Sequence, residues 1–206
     1  MLTRYPVLEL IADKIGEAYS ILETGYASGG KLLIAGNGGS AADAEHIVGE
    51  LMKGFKKKRN VSAEFAARLS AQNKEIGARL SDGLQGALPA IALHNHPSLS
   101  TAFLNDVDGL LCFAQQVYGY GTKDDVLLCI STSGNALNVL HAAVTAKAIG
   151  MKVISLTGAT GGKLKDLSDV TVNAPETETY MIQELHLPIY HCWCTMLEDE
   201  FFLDEK

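Results

Sequence analysis

A histidine and a glutamate one helical turn apart are the first residues whose types and spacing could do chemistry. His46 and Glu50 stand at positions i and i+4 of a predicted helix, so their side chains share one face. Near the other end of the chain, Gln183 and His191 are about two helical turns apart and also share an approximate face. Imidazole and carboxylate groups arranged in this way serve metal binding or proton transfer. Spacing alone leaves open whether the two pairs converge.

A hydroxyl-rich turn is a second candidate site. Ser131, Thr132 and Ser133 follow an apolar run and are followed by Gly134 and Asn135, after which a helical pattern begins. The first N–H groups of a helix lack intrahelical partners, and the helix dipole favours negative charge there. Three hydroxyl donors added to such an end predict a phosphate-binding turn, with simple helix capping as the alternative.

A glycine-rich turn is the third candidate. Residues 36–41 read Gly-Asn-Gly-Gly-Ser-Ala, which matches the G-x-G-x-x-[GA] dinucleotide-binding pattern in its letters. That site also needs a second strand that ends in an acidic residue, and the following stretch is a lysine run instead. We therefore interpret the glycines as a turn that lets backbone approach a small ligand, with Ser40 at or near the helix N-cap. A tight turn without any ligand is the alternative.

Short apolar runs that alternate with helical patterns position these turns. Because each run is continuously apolar, each predicts a strand buried on both faces of a parallel sheet. Such a pattern favours an α/β fold with a doubly wound, five-stranded parallel sheet, which binds ligands at the carboxyl ends of its strands. The predicted strands are residues 31–35, 89–93, 125–130, 152–156 and 169–172, and the predicted helices are 5–26, 41–51, 62–80, 136–149 and 180–202.

Two segments interrupt this regular pattern. Residues 53–59 form the one concentrated basic run, which we interpret as a solvated helix end and linker rather than as a binding patch. Pro188 lies inside the last predicted helix, where it removes a hydrogen bond and is expected to cause a kink.

Composition limits the classes of function. A chain of 206 residues suits a single domain, and its formal charge of −7 gives no general attraction to nucleic acid or to an anionic membrane. No apolar run approaches the roughly 20 residues that span a bilayer. The first residues have no signal-peptide pattern, so we expect a cytoplasmic protein. The four cysteines form no C-x-x-C pair, which disfavours a disulfide or a cysteine metal site.

Five motifs together resemble one known family. They are G-N-G-G-S-A-A-D-A-x-H-x-x-x-E from Gly36 to Glu50, N-D at Asn105 and Asp106, and D-V-L-L-x-I-S-T-S-G-N from Asp125 to Asn135. L-T-G-x-x-G-G-K-L from Leu156 to Leu164 and Q-E-x-H-x-x-x-x-H from Gln183 to His191 complete the set. In this order, over nearly the whole chain, they resemble the sugar isomerase (SIS) domain family and, within it, the phosphoheptose isomerases.

The resemblance implies a flavodoxin-like SIS domain over residues 1–206 and an aldose–ketose isomerisation of sedoheptulose 7-phosphate through an enediol. It implies Glu50 as the base and His191 as the acid. It also implies one zinc ion per subunit, a homotetramer with active sites shared between subunits, and no nucleic-acid or membrane partner. The zinc ligands would be His46, Glu50, Gln183 and His191, and the substrate would contact Asn37, Gly38, Gly39, Ser40, Asn105, Asp106, Ser131, Thr132, Ser133 and Gln183.

The sequence departs from the family pattern in places, and other functions stay open. Ala136 replaces a usual serine, and residues 53–88 form a longer segment than is usual in the family. One alternative is a non-catalytic SIS protein that binds the replication initiator, although that branch lacks the equivalents of Glu50 and His191. The others are an isomerase or a sensor for a different phosphorylated sugar.

Overall fold

The predicted strands form one parallel sheet. The computed structural model describes residues 1–202, and within them the sheet has five strands in the order β2-β1-β3-β4-β5. All neighbouring strands run parallel, which confirms the doubly wound α/β prediction. The strands are β1 (Leu32–Gly36), β2 (Ala90–Ala92), β3 (Val126–Ile130), β4 (Lys152–Thr157) and β5 (Val170–Asn173).

Eight α-helices accompany the sheet within residues 1–202. The α-helices are α1 (Ala12–Ala27), α2 (Gly39–Met52), α3 (Ala63–Gln72), α4 (Lys74–Gly83), α5 (Pro97–Asp106), α6 (Cys112–Tyr120), α7 (Leu137–Ile149) and α8 (Thr179–Phe201). Three short 3-10 helices also occur within these residues. They precede α1, α6 and β5 and span Pro6–Ile11, Gly109–Leu111 and Gly162–Asp166, respectively.

Alternate residues of the central strands face two separate apolar cores. Leu32 and Leu128 belong to the core that α1, α2 and α8 cover, whereas Leu33 and Leu127 belong to the core beneath α6 and α7. All four side chains are at most 2% exposed. Because successive strand residues point to opposite faces, a continuously apolar strand serves a sheet that is covered on both sides.

Two predicted helices differ from the structure in their local form. The first begins as a 3-10 helix before α1, and the one predicted over 62–80 is two helices, α3 and α4, which pack against each other. They separate at Asn73, whose extended backbone ends α3 and whose Oδ1 accepts a hydrogen bond of 2.9 Å from the Ile76 N–H in α4. Pro188 lies within α8 without dividing that helix.

All four cysteines are free thiols, and Cys129 on β3 is fully buried, as its apolar surroundings predicted. Within residues 1–202, no helix combines the length and apolar character that crossing a bilayer requires.

The strand order places a crevice between β1 and β3. After β1 the chain crosses through α2 to β2 on one side, whereas β3, on the other side, continues into α7. The turns after β1 and β3 therefore diverge at the carboxyl edge of the sheet. Ligands of open α/β sheets bind at this kind of switch point, and both predicted ligand-binding turns lie there.

Candidate active site

Two asparagines bridge the crevice between β1 and β3. The Asn37 side chain donates to Asn138 Oδ1 at 2.9 Å, and Asn138 donates back to Asn37 Oδ1 at 2.8 Å. Asn37 follows β1, and Asn138 lies in the first turn of α7. Asn138 was not among the residues predicted from the sequence, although its place just after the hydroxyl-rich turn was a signal that could have identified it.

The glycine-rich turn holds Gln183 close to the backbone. Gly38 adopts a φ of 54°, which favours glycine, and it is the N-cap of α2. A Cβ on Gly39 would collide with the Gln183 side-chain amide. Ser40, predicted at or near the N-cap, instead lies buried in the first turn of α2. The glycines thus allow α8 to place an amide directly against the turn.

The hydroxyl-rich turn is held in place by its own hydrogen bonds. Ser133 Oγ accepts from the Asn135 N–H at 3.2 Å, and Asn135 Oδ1 accepts from the Lys163 N–H at 3.1 Å. Ser131 is buried, whereas Ser133 is exposed. Ala136 is the N-cap of α7, and its methyl side chain cannot accept from the first N–H groups of that helix. The turn therefore presents hydroxyl and backbone donors that suit a phosphate.

A cluster of two imidazoles and one carboxylate forms where α2 packs against α8. His46 Nε2 lies 3.1 Å from Glu50 Oε1 and 3.4 Å from His191 Nε2. Burial and the neighbouring His46 lower the pKa of His191, and Glu50 opposes that shift. The Glu50 Oε2 atom is buried without a hydrogen-bond partner among residues 1–202. The cluster thus unites three of the four residues that the two helical spacings singled out.

Tyr190 and Asp43 lie directly behind this cluster. The Tyr190 hydroxyl oxygen is 3.0 Å from His46 Nδ1 and donates its proton to Asp43 Oδ1 at 3.2 Å. Burial, followed by the charge of Asp43, raises the pKa of Tyr190. Burial also raises the pKa of Asp43, against the opposing effects of Tyr190 and His46. Neither residue was predicted from the sequence, because nothing in their spacing relates α2 to α8.

Gln183 contacts the glycine-rich turn at the start of α2, whereas His46 and Glu50 lie further along that helix. Gly39, which Gln183 touches, precedes His46 by seven residues of α2, or roughly 10 Å along the helix axis. Gln183 and His191 are separated by roughly 12 Å along α8 on the same basis. The chain therefore carries two groups of polar residues, one in the crevice and one between the helices.

Asn105 and Asp106 join neither group. They end α5, both are exposed, and Asn105 Nδ2 donates to Asp106 Oδ1 at 2.7 Å. Helix α5 packs against α6 and the adjacent 3-10 helix. Among the hydrogen bonds and ion pairs of the described part of the chain, none joins these two side chains to the imidazole–carboxylate cluster.

Arg59, at the end of the basic run, is a buried clamp. Our interpretation of the run as solvated was wrong at this residue, whereas three of the four lysines in the run are exposed. The Arg59 guanidinium donates to Leu51 O at 2.7 Å and to Glu50 O at 3.0 Å, and so caps the last turn of α2. It also donates to Glu198 Oε1 at 2.8 Å. Arg59 and Glu198 are each 1% exposed. This ion pair fixes the end of the helix that carries Glu50.

Glu198 also organises the loop that follows α2. Its carboxylate accepts from the N–H groups of Phe55 and Lys56, both at 2.8 Å, and of Lys57 at 3.2 Å. Burial alone would raise the pKa of Glu198, but these bonds and the one from Arg59 lower it overall. The loop therefore winds around a buried negative charge from α8.

An open cavity of about 520 Å³ lies beside His191. Its wall combines cationic groups with apolar and hydroxyl-bearing side chains, so it could receive a polar, anionic molecule or another part of a polypeptide. The lining residues are Met1, Arg4, Tyr5, Lys56, Leu187, Pro188, His191, Cys192 and Thr195.

The donor types of the cluster suit zinc, although they are not spread around a common point. Zinc accepts imidazole nitrogen and carboxylate oxygen, and a cation would satisfy the unpartnered Glu50 Oε2. Within residues 1–202, however, no three or more His, Cys, Asp or Glu side chains are grouped so that they could hold a metal ion. His46 Nε2 instead contacts both of its neighbours directly. The residues therefore fit zinc in their chemistry, while Gln183 lies two turns away.

Known proteins resemble this chain in both sequence and fold. The family model described as SIS domain matches residues 84–158. A phosphoheptose isomerase of Nitratiruptor sp. is 42% identical over 171 residues, which are 83% of this chain and 78% of that protein. Solved phosphoheptose isomerases of Francisella tularensis and Neisseria gonorrhoeae superpose with TM-scores of 0.78 and 0.76. Each is 31% identical, and each superposition covers 95% of this chain and 91% of the other. The chain belongs to the phosphoheptose isomerase family, as its motifs predicted.

Proposed function

We propose that this protein interconverts sedoheptulose 7-phosphate and D-glycero-D-manno-heptose 7-phosphate. The single observation that carries the proposal, beside membership of the family, is the Glu50 carboxylate. Its Oε2 is buried, accepts no hydrogen bond among residues 1–202 and lies 3.9 Å from the Lys53 ammonium, and its Oε1 lies against His46 in the imidazole cluster. A carboxylate of this kind is free to accept a proton from carbon, and His191 is close enough to act on a neighbouring oxygen.

The proposed reaction moves one proton between adjacent carbons. Glu50 takes a proton from C1 of the ketose, and the electron pair of that C–H bond forms the C1=C2 bond of an enediol while His191 protonates O2. His191, which gave its proton to O2, then accepts the O1 proton as the C1 carbonyl forms, and Glu50 returns its proton to C2, so both groups regain their starting states. No oxidant or reductant enters, because the substrate and the product have the same composition.

Substrate binding is proposed for the crevice. The phosphate would accept hydrogen bonds from Ser131, Thr132, Ser133 and the first N–H groups of α7. The sugar would lie over the glycine turn, where Asn37 and Gln183 present amide groups. A cytoplasmic location follows from such a substrate, because a phosphorylated sugar does not cross a bilayer unaided.

We also propose that zinc binds at the cluster and that four subunits share their active sites. His46, Glu50 and His191 offer the donors, and a bound zinc would supply a positive charge that stabilises negative oxygen on the sugar. The axial separation of roughly 10 Å between Gly39 and His46 on α2 supports sharing. A neighbouring subunit could bring its crevice, or its Asn105 and Asp106, to the cavity beside His191.

Incubation of the purified protein with sedoheptulose 7-phosphate, with and without zinc, tests the activity by NMR detection of the aldose. Glu50→Gln should abolish turnover and leave phosphate binding largely intact in calorimetry. Glu45→Gln is the matched control, since Glu45 lies on the same helix and its side chain is 55% exposed. Absence of turnover by wild-type protein with a fully occupied site would rule out this substrate.

Metal content and subunit mixing test the other two proposals. Zinc analysis should show about one ion per chain in wild type and little in His46→Ala, whereas His94→Ala should keep the metal. Coexpressed Glu50→Gln and Ser133→Ala chains should recover activity that neither has alone, because some mixed sites would be intact. A monomer in light scattering would contradict the shared site.

A further inference from the structure

A carboxylate, a phenol and an imidazole form a chain of hydrogen bonds behind the proposed base. Asp43 and His46 come from α2, and Tyr190 comes from α8. Tyr190 is 1% exposed, and its ring packs edge-on to the rings of His46, at 5.5 Å, and His191, at 5.1 Å. Buried packing on both sides therefore fixes the direction in which the phenol oxygen points.

The direction of each hydrogen bond follows from the groups involved. An ionised carboxylate only accepts hydrogen bonds, so the one Tyr190 proton goes to Asp43 Oδ1. The phenol oxygen must then accept from His46 Nδ1, 3.0 Å away, which requires a proton on that nitrogen. Asp43 Oδ2 has no partner among residues 1–202, so the Tyr190 hydroxyl is the donor that compensates this buried carboxylate.

The proton on His46 Nδ1 also determines the state of Nε2, on the opposite side of the ring. A neutral imidazole that carries its proton on Nδ1 has a bare lone pair on Nε2. That lone pair faces Glu50 Oε1 at 3.1 Å and His191 Nε2 at 3.4 Å, so two acceptors oppose each other at the Glu50 contact unless a cation lies between them. In the other tautomer, Nε2 would donate to Glu50 and engage the carboxylate that the proposed reaction needs as a base. Nδ1 would then face the phenol oxygen of Tyr190, whose one proton already goes to Asp43.

We propose that Tyr190 and Asp43 are positioning residues that hold His46 in the Nδ1–H tautomer, with its Nε2 lone pair directed into the active site. The consequence for catalysis rests on the proposed isomerase function, but the tautomer itself does not. Partners on the far nitrogen of a metal-binding or catalytic histidine commonly set its orientation in this way, and their loss costs about 10–100-fold in activity or metal affinity.

Nitrogen-15 NMR of the full chain with labelled histidine tests the proposal directly. The wild type should show His46 with a protonated Nδ1 and a bare or metal-bound Nε2. Tyr190→Phe removes the acceptor, and Asp43→Ala frees the phenol to donate to Nδ1, so both variants should shift His46 toward the Nε2–H form. Both should lower kcat by about 10–100-fold, with KM changed less than about twofold. Tyr118→Phe, at a tyrosine that is 72% exposed, is the matched control.

The outcomes separate this proposal from the function. An Nε2–H tautomer in wild-type protein would overturn the proposal even if the variants failed to fold. An unchanged tautomer in folded Tyr190→Phe would overturn it as well. A protein with the expected tautomers and no isomerase activity would instead retain the positioning role and contradict the proposed function.

Discussion

Replacement of Arg59 by methionine should be among the most destabilising single changes outside the apolar cores. Arg59→Met approximately keeps the length of the side chain but removes the cation that pairs with Glu198. The Glu198 carboxylate then stays buried and charged, with only three backbone N–H groups as hydrogen-bond donors. Breaking a buried ion pair by removing one partner typically costs about 3–5 kcal/mol. In a chain of this size, a loss of about 3 kcal/mol lowers Tm by roughly 6–12 °C.

The same change should reach the proposed active site. Arg59 caps the carbonyl groups of Glu50 and Leu51, so its loss frees the last turn of α2. We expect kcat to fall even at temperatures where the variant is fully folded, because the proposed base is held less rigidly.

Urea unfolding at fixed protein concentration measures how far Arg59→Met lowers the free energy of unfolding. The single tryptophan, Trp193, is 2% exposed in α8 and reports unfolding by fluorescence. Arg68→Met is the control, since Arg68 is exposed and pairs with Glu64 at 3.8 Å, a surface contact worth about 0–1 kcal/mol. A loss below about 1 kcal/mol in Arg59→Met would refute the reasoning about the buried pair.

Three further changes test other parts of the structure. Gly39→Ala should displace the Gln183 amide and raise KM with little loss of stability, whereas Gly49→Ala, which has open space around it, should gain about 0.5–1 kcal/mol in urea unfolding. Asn138→Ala removes the bridge across the crevice and should weaken sugar-phosphate binding in calorimetry while the sheet stays folded. Burial lowers the pKa of His186 to about 4, so its stabilisation is present above its ordinary pKa of 6.5 and is lost as pH falls toward 4. His186→Gln should flatten Tm against pH in that window, and an unchanged slope would refute the assignment.

The sequence by itself determined the elements and the turns that carry much of the proposed chemistry. The continuous apolar runs predicted all five strands, because a strand covered on both faces must be apolar throughout. The spacing of His46 and Glu50 put them on one face of α2, because the helical period is local. The family motifs supplied the function without any knowledge of distances.

Local pattern was insufficient where an interaction with distant residues outweighs it. The run 53–59 is rich in charge and was predicted to be solvated, yet Arg59 is buried because it pairs with the Glu198 carboxylate. That partner lies 139 positions later in the sequence, so the local pattern gives no sign of it. Helices α5 and α6 were not predicted, and the helix predicted over 62–80 divides at Asn73 because its side chain caps α4.

Only the tertiary structure decided which chemical groups meet. His191 reaches His46 because α2 and α8 bury their apolar faces side by side on one face of the sheet. The same packing puts Tyr190 behind His46 and keeps Gln183 two turns away, against Gly39. Periodicity fixes the face on which a side chain lies, whereas the partner of that face depends on packing between segments far apart in the chain.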